Sequence, residues 1–408
     1  MTQVLLDLFY SFGNCLNCFP GSPTLKINSR NFKIQRLLGE GGFSYVYLVE
    51  DTSTHDLFAL KKIRCPFGAE SVQQAMREVD AYRLFAHVPT IISAYDHSVA
   101  TERGADESTK TVYVLLPYYK RGNLQDMINA NLVNHDRFPE RRLMLLFLGV
   151  CKALRAMHDY KPAVERMDMG REEDQAHNDD AEPGRRMNTR GKRTEEEEEG
   201  EQERPLMEAE NQVSGGRTKN QSYAHRDIKP GNIMIDDTGS TPILMDLGSV
   251  AHSPIPVTSQ SLALQIQDTA AEHSTMPYRA PELFDARTGT VIDTKVDIWS
   301  LGCTLYACLV GKSPFEMRSD ETGGTLSLCV LGGDWRFPDE GPQGVKRSVS
   351  MRHQGQQQAQ AANTVEISEP IREVVRKCLR VEPAERPDIN ELIDMVQTVI
   401  EELPDDTN

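Results

Sequence analysis

The run His225-Arg226-Asp227-Ile228-Lys229-Pro230-Gly231-Asn232 leads through a short apolar stretch, 233–235, and a second one, 243–245, into Asp246-Leu247-Gly248. An aspartate, a lysine, an asparagine and a second aspartate are thereby set around two strand-like segments. Transfer of a phosphoryl group demands mainly positioning and charge neutralisation: a carboxylate for the attacking hydroxyl, oxygen ligands for a divalent cation, and a cation near the γ-phosphate. Asp227 suits the first role, Asn232 and Asp246 the second, and Lys229 the third. A carboxylate and an amide oxygen are the hard donors that Mg²⁺ takes, with nucleotide and water filling the remaining positions. Each Asp or Asn alone also serves as an ordinary turn former; the ordered set points to chemistry.

Upstream, Gly39-Glu40-Gly41-Gly42-Phe43-Ser44-Tyr45-Val46 lies between two strand-like runs. Glycines there let the backbone fold close over a phosphate chain and offer it N–H groups. A plain hairpin is the competing reading, because Ser44 stands where a third glycine is expected. Phe58-Ala59-Leu60-Lys61 then places a lysine in an apolar strand. Such a lysine is either an edge residue reaching solvent or a phosphate ligand, and Glu78 on the following helical segment supplies the carboxylate that would position it.

Together these residues resemble the eukaryotic protein kinase signature over about 32–400, apart from two polar stretches at about 161–221 and 339–363. Pro277-Tyr278-Arg279-Ala280-Pro281-Glu282 is similar to the end of an activation segment, and Asp297-Ile298-Trp299-Ser300-Leu301-Gly302 to the central helix of the large lobe. The resemblance implies that Asp297 braces the catalytic loop and that Arg386 pairs with Glu282. It implies an ATP site of Leu38, Gly39, Gly41, Gly42, Ser44, Val46, Ala59, Lys61, Leu116, Pro117 and Tyr119. In that site the Pro117 carbonyl and the Tyr119 N–H face adenine, so that the missing N–H of proline costs nothing. Lys229, two residues after Asp227, is the serine/threonine-type choice. Within kinases, Gly41–Val46, Lys120-Arg121-Gly122 and Met245–Ser249 resemble the myristoylated and palmitoylated serine/threonine branch, related to the numb-associated kinases. Members of that branch carry Ser44 and Leu247 and modify serine, threonine and in some cases tyrosine. Thr275 is open to two readings, a phosphorylation site or a structural hydroxyl.

The expected fold class is α+β: a bilobal protein kinase fold, with a small antiparallel-sheet N-lobe at 32–116 and a larger helical C-lobe at 117–400. Three antiparallel strands are expected over 32–63, a helix from Ser71, and strands at 91–97 and 111–116. Helical periodicity marks 124–128, 141–160, 292–311 and 371–379. The stretches at about 161–221, with its Glu195–Glu199 block, and 339–363, with its glutamine run, have too few large apolar residues to repay ordering and read as disordered insertions. Residues 1–31 form a leader and 401–408 a tail.

A formal net charge of −16 over 408 residues argues against nucleic acid as a partner. The eight cysteines are scattered, without a metal-type quartet, which fits a reducing compartment. No segment reaches the roughly 20 apolar residues of a membrane span, and the first residues lack the basic start of a signal peptide. The branch resemblance implies a lipid anchor near the amino terminus, yet the chain opens Met1-Thr2, without the glycine that N-myristoylation requires at position 2; Cys15 and Cys18, set among Leu8, Phe9, Phe12, Leu16 and Phe19, read either as S-palmitoylation sites or as incidental thiols of a leader. The branch resemblance implies the cytosolic face of endomembranes, vacuolar in its fungal members and Golgi-type in its animal ones. A non-catalytic scaffold would lack one of Lys61, Asp227, Asn232 or Asp246; all four are present.

Overall fold

The computed structural model describes residues 24–101, 109–160, 222–341 and 367–405. Strands β1 (Thr24–Ile27) and β2 (Arg30–Glu40) form a hairpin across Asn28-Ser29, with Asn28 at φ 52°, a left-handed conformation that asparagine tolerates. β3 (Ser44–Asp51) and β4 (Leu57–Cys65) extend it, and helix α1 (Gly68–Leu84) follows. β5 (Asp96–Thr101) and β6 (Lys110–Pro117) complete an antiparallel sheet of order β1-β2-β3-β4-β6-β5. Side-chain alternation divides its two faces: Val112, Val114 and Leu116 join the main core with α1, whereas Leu115 joins Ile27, Phe32, Val49 and Leu60 in a second core on the other face. Arg30 covers that second core, its guanidinium 5.2 and 4.9 Å from the Phe32 and Phe58 rings and its Nε donating to Asp51 at 2.7 Å.

Three sequence expectations need correction here. Residues 24–31, assigned to the leader, contain β1 and the start of β2, so the sheet begins before position 32. The strand expected at 91–97 forms instead at Asp96–Thr101. Its apolar pair, Ile91 and Ile92, is buried against the other lobe, where Leu244 N–H donates to Thr90 O at 2.9 Å and Ile92 N–H to Leu244 O at 2.8 Å. Helix α1 starts at Gly68 rather than Ser71, whose hydroxyl accepts from the Phe67 N–H at 3.1 Å.

The helical lobe opens with α2 (Leu124–Asn134), capped reciprocally by Asn123 and Asp126, and α3 (Glu140–His158). Short strands β7 (Ser222–Ala224), β8 (Ile233–Ile235), β9 (Pro242–Leu244) and β10 (Ala251–Ser253) pair as β7 with β10 and β8 with β9. β11 (Ile255–Pro256) precedes α4 (Gln260–His273) and pairs with β12 (Val291–Ile292). Helix α5 (Lys295–Val310) is buried continuously from Val296 to Cys308, which makes it the axis of the lobe. α6 (Pro314–Thr322), α7 (Leu326–Leu331), α8 (Glu369–Cys378) and α9 (Ile389–Glu402) surround it.

The second expected insertion starts too early by a few residues. Asp339 and Glu340 belong to the fold: both bond Arg372, whose guanidinium lies 4.6 Å from the Phe337 ring, and Glu340 also accepts from Arg376 at 2.8 Å. Cys15, Cys18, the stretch 161–221 and residues 342–363 lie outside the described residues. Among the described residues, no helix is long and apolar enough to cross a membrane.

Candidate active site

The sheet register fixes one wall. Val46 is the cross-strand partner of Lys61, and Ala59 that of Leu116, so all four side chains share one face of the sheet. Lys61 Nζ reaches across to Glu78 Oε1 on α1 at 2.7 Å and to Asp246 Oδ1 at 2.9 Å. One helical turn beyond Glu78, the buried Tyr82 hydroxyl donates to the same Oε1 at 2.5 Å and holds the carboxylate in place. Asp246 has left-handed backbone angles (φ 61°, ψ 74°), a conformation that costs a non-glycine residue energy and aims its carboxylate back at Lys61. The Lys61 ammonium holds the Asp246 carboxyl down at about 2 against the opposing effect of burial. Burial would lower the Lys61 value, but Asp246 and Glu78 outweigh it and raise it above the ordinary amine range.

The other wall is the loop between β7 and β8. Beneath it lies Asp297, fully buried near the start of α5. Its carboxylate accepts from His225 N–H at 2.8 Å and Arg226 N–H at 2.7 Å and lies 2.9 Å from His158 Nε2. Burial opposes ionisation of Asp297, yet these donors pull its value below the usual carboxylate range. The brace permits Arg226 its strained φ of 70°. Asp227 is 8% exposed. Lys229 Nζ donates to its Oδ2 at 2.8 Å, and Asn232 Nδ2 donates to the same oxygen at 2.9 Å and to the Asp227 carbonyl at 2.8 Å. Thr275 closes the ring: its N–H donates to Asp227 Oδ1 at 2.8 Å and its hydroxyl accepts from Lys229 at 2.6 Å. Of the two roles left open for Thr275, these contacts fill the structural one. Ser249 Oγ donates to the His225 carbonyl at 2.7 Å and ties the segment after Asp246 to the loop that carries Asp227.

Between the walls is a cavity of about 480 Å³. Of the expected residues, Gly41, Gly42, Ser44, Lys61, Glu78, Asp227, Lys229 and Asp246 line it. The glycine turn closes on itself, Gly41 N–H donating to Ser44 O at 2.7 Å; a Cβ at Gly41 would sit 3.0 Å from Ser44 Oγ, whereas at Gly42 it would meet nothing within 4 Å. Val46, Ala59 and Leu116 lie on the same sheet face but outside the lining, and Pro117, the last residue of β6, and Tyr119 beyond it are outside the lining as well. Leu38 occupies an irregularity of β2, Gly39 pairs with Val46, and Asn232 sits behind Asp227. Among the described residues, no three of His, Cys, Asp and Glu converge on a metal position. Asp246 and Asn232 offer a carboxylate and an amide oxygen, a donor set suited to a hard cation. Tyr82, His158 and Ser249 were not assigned roles from the sequence. Tyr82 had a signal, its i+4 spacing from Glu78; the other two act through contacts distant in the chain.

The model of the protein kinase domain matches residues 32–169 and 219–396, and the chain belongs to that family. It is similar over most of its length to serine/threonine-protein kinase ppk13 of Schizosaccharomyces pombe, at 33% identity over 92% of each chain. Serine/threonine-protein kinase ENV7 of Saccharomyces cerevisiae is 31% identical over 97% of this chain and 99% of its own. Serine/threonine-protein kinase 16 of Rattus norvegicus is 30% identical over 94% of each. The protein is thus a serine/threonine protein kinase, whose substrates are ATP and protein and whose family chemistry uses a divalent metal ion.

Proposed function

We propose that the protein transfers the γ-phosphoryl group of ATP, taken with Mg²⁺, to serine and threonine hydroxyls of proteins at the cytosolic face of an endomembrane of vacuolar type. The observation that carries the catalytic part is the convergence on one cavity of Lys61, clasped by Glu78 and Asp246, with Asp227, clasped by Lys229 and Asn232. Lys61, kept charged by its two carboxylates, binds the α- and β-phosphates. Leu38, Val46, Ala59 and Leu116 enclose adenine, Pro117 and Tyr119 bond its edge through the backbone, and Gly39, Gly41, Gly42 and Ser44 cover the phosphates. Asp227 orients the incoming hydroxyl and receives its proton, while Lys229 offsets charge on the phosphoryl group in transfer. Asn232 and Asp246 would hold Mg²⁺, whose charge would neutralise that of the phosphates.

Incubation with γ-labelled ATP, Mg²⁺ and generic protein substrates tests this reading. Label should enter substrate with the wild-type chain and not with Asp246→Ala; equal incorporation by that variant would remove Asp246 from the metal site. The location rests on the branch resemblance and on S-acylation at Cys15 and Cys18. The double variant Cys15→Ser, Cys18→Ser should leave the membrane fraction of a cell lysate, and its retention there would rule acylation out as the anchor.

A further inference from the structure

We propose that the outer half of the cavity is a subsite for an apolar side chain next to the phosphoacceptor residue of the protein substrate, an inference that rests on the role assigned above to Asp227. From Asp227 and Lys229 the cavity runs past Thr275 and Ser274 to Gln74 on α1, and ends at Ile63, Pro66 and Phe67 with Phe43 of the glycine turn beside them. Phe43 and Phe67 meet edge to face, centroids 6.2 Å apart, yet remain 50% and 72% exposed. Two aromatics left uncovered at the mouth of a catalytic cavity are apolar surface in want of a partner.

The polar groups in this half already have partners. Ser71 Oγ donates to Gly68 O and accepts from Phe67 N–H, both at 3.1 Å. Ser274 Oγ donates to Ala270 O at 2.6 Å and accepts from Arg279 Nε at 2.7 Å. Gln74 Nε2 lies 2.9 Å from His273 Nε2, and the Thr275 hydroxyl is held by Lys229. The rim charges, Arg64 and Glu272, are opposite in sign and both exposed, so they favour neither sign of ligand. What remains for an occupant is the apolar wall. A polar side chain packed against Phe43, Ile63, Pro66 and Phe67 would give up water without gaining a hydrogen bond from them. Because the cavity is continuous with Asp227, a chain whose hydroxyl is seated there carries a flanking side chain into this half.

The test is a positional-scanning library of serine peptides, phosphorylated by the full-length wild-type chain and by Phe67→Ala and Phe67→Leu. Phe67 is exposed and takes no part in the ATP or metal site, so both variants should fold and keep the wild-type KM for ATP. The wild-type chain should select aliphatic or aromatic residues at one position flanking the serine. In Phe67→Ala, kcat/KM for the apolar peptide should fall about tenfold, through KM, while a peptide with alanine at that position is unaffected; Phe67→Leu should restore most of the loss. Absence of apolar selection in the wild type, or its survival undiminished in Phe67→Ala, overturns the subsite. Failure of every peptide to be phosphorylated would overturn the catalytic reading beneath it as well.

Discussion

Asp246 and Lys61 hold each other ionised, and the signs of their shifts set a pH window. Asp246, lowered from its usual 3.8 to about 2, contributes stability that is fully present above 3.8 and lost as pH falls through about 2. Lys61, raised from 10.5, contributes stability that is fully present below 10.5 and lost only at higher pH. The stability difference between the wild type and Asp246→Asn should therefore be constant between about pH 5 and pH 9 and shift in the wild type's disfavour below about pH 4. Urea unfolding at a series of pH values measures it, and a difference that changes near neutrality would contradict the pairing. Each residue could be read from the sequence because phosphate chemistry restricts the residue types at those positions, but only Glu78, not Asp246, was legible as the carboxylate partner of Lys61. The anchoring of Asp227 by Thr275 could not be read, because 48 residues separate donor and acceptor.

Among the secondary-structure elements, packing around α5 is a tight constraint. A Cβ at Gly302 would lie 2.6 Å from Cys378 Cβ and 3.0 Å from Leu379 Cδ2, so α5 and α8 touch nearly backbone to backbone. Gly302→Ala should lower stability by about 1–3 kcal/mol despite alanine's better helix propensity, as read by urea denaturation. A stabilised variant would show that the two helices can separate without cost. Long apolar helices such as α3 and α5 were legible in the sequence because burial imposes periodicity over many residues. α4 shows a weaker pattern, with Ala263, Ile266 and Ala270 at helical spacing behind a Ser259 cap but two of the three buried positions filled only by alanine. β1 offered less: four residues, only Ile27 of them buried, whose partner strand lies across a two-residue turn without glycine.

The two ends of the helical lobe are joined by ion pairs that no local pattern reveals. Arg386, fully buried, clasps Glu282 with two bonds of 2.7 and 2.9 Å, and its guanidinium lies 4.9 Å from the Trp299 ring. The family resemblance supplied that pair; nothing in composition announced the Arg372 cluster, which draws Asp339 and Glu340 out of an otherwise polar run. Arg386→Ala should cost about 3–5 kcal/mol, because it strands Glu282 as well as removing the bidentate contact. A loss below about 1 kcal/mol in thermal or urea unfolding would show that water replaces the guanidinium there. The backbone stitch between Thr90–Ile92 and Leu244 bears on motion. It pins the chain just beyond the end of α1 to the helical lobe, so that α1 behaves as a lever with its fulcrum near Leu84. With a rise of about 1.5 Å per residue, Gly68 lies roughly 24 Å from that fulcrum and Glu78 roughly 9 Å. Any rocking of the upper lobe must then swing the Phe67 end some two to three times as far as the carboxylate that grips Lys61, which lets the mouth widen for an arriving polypeptide while the grip on the ammonium is still intact.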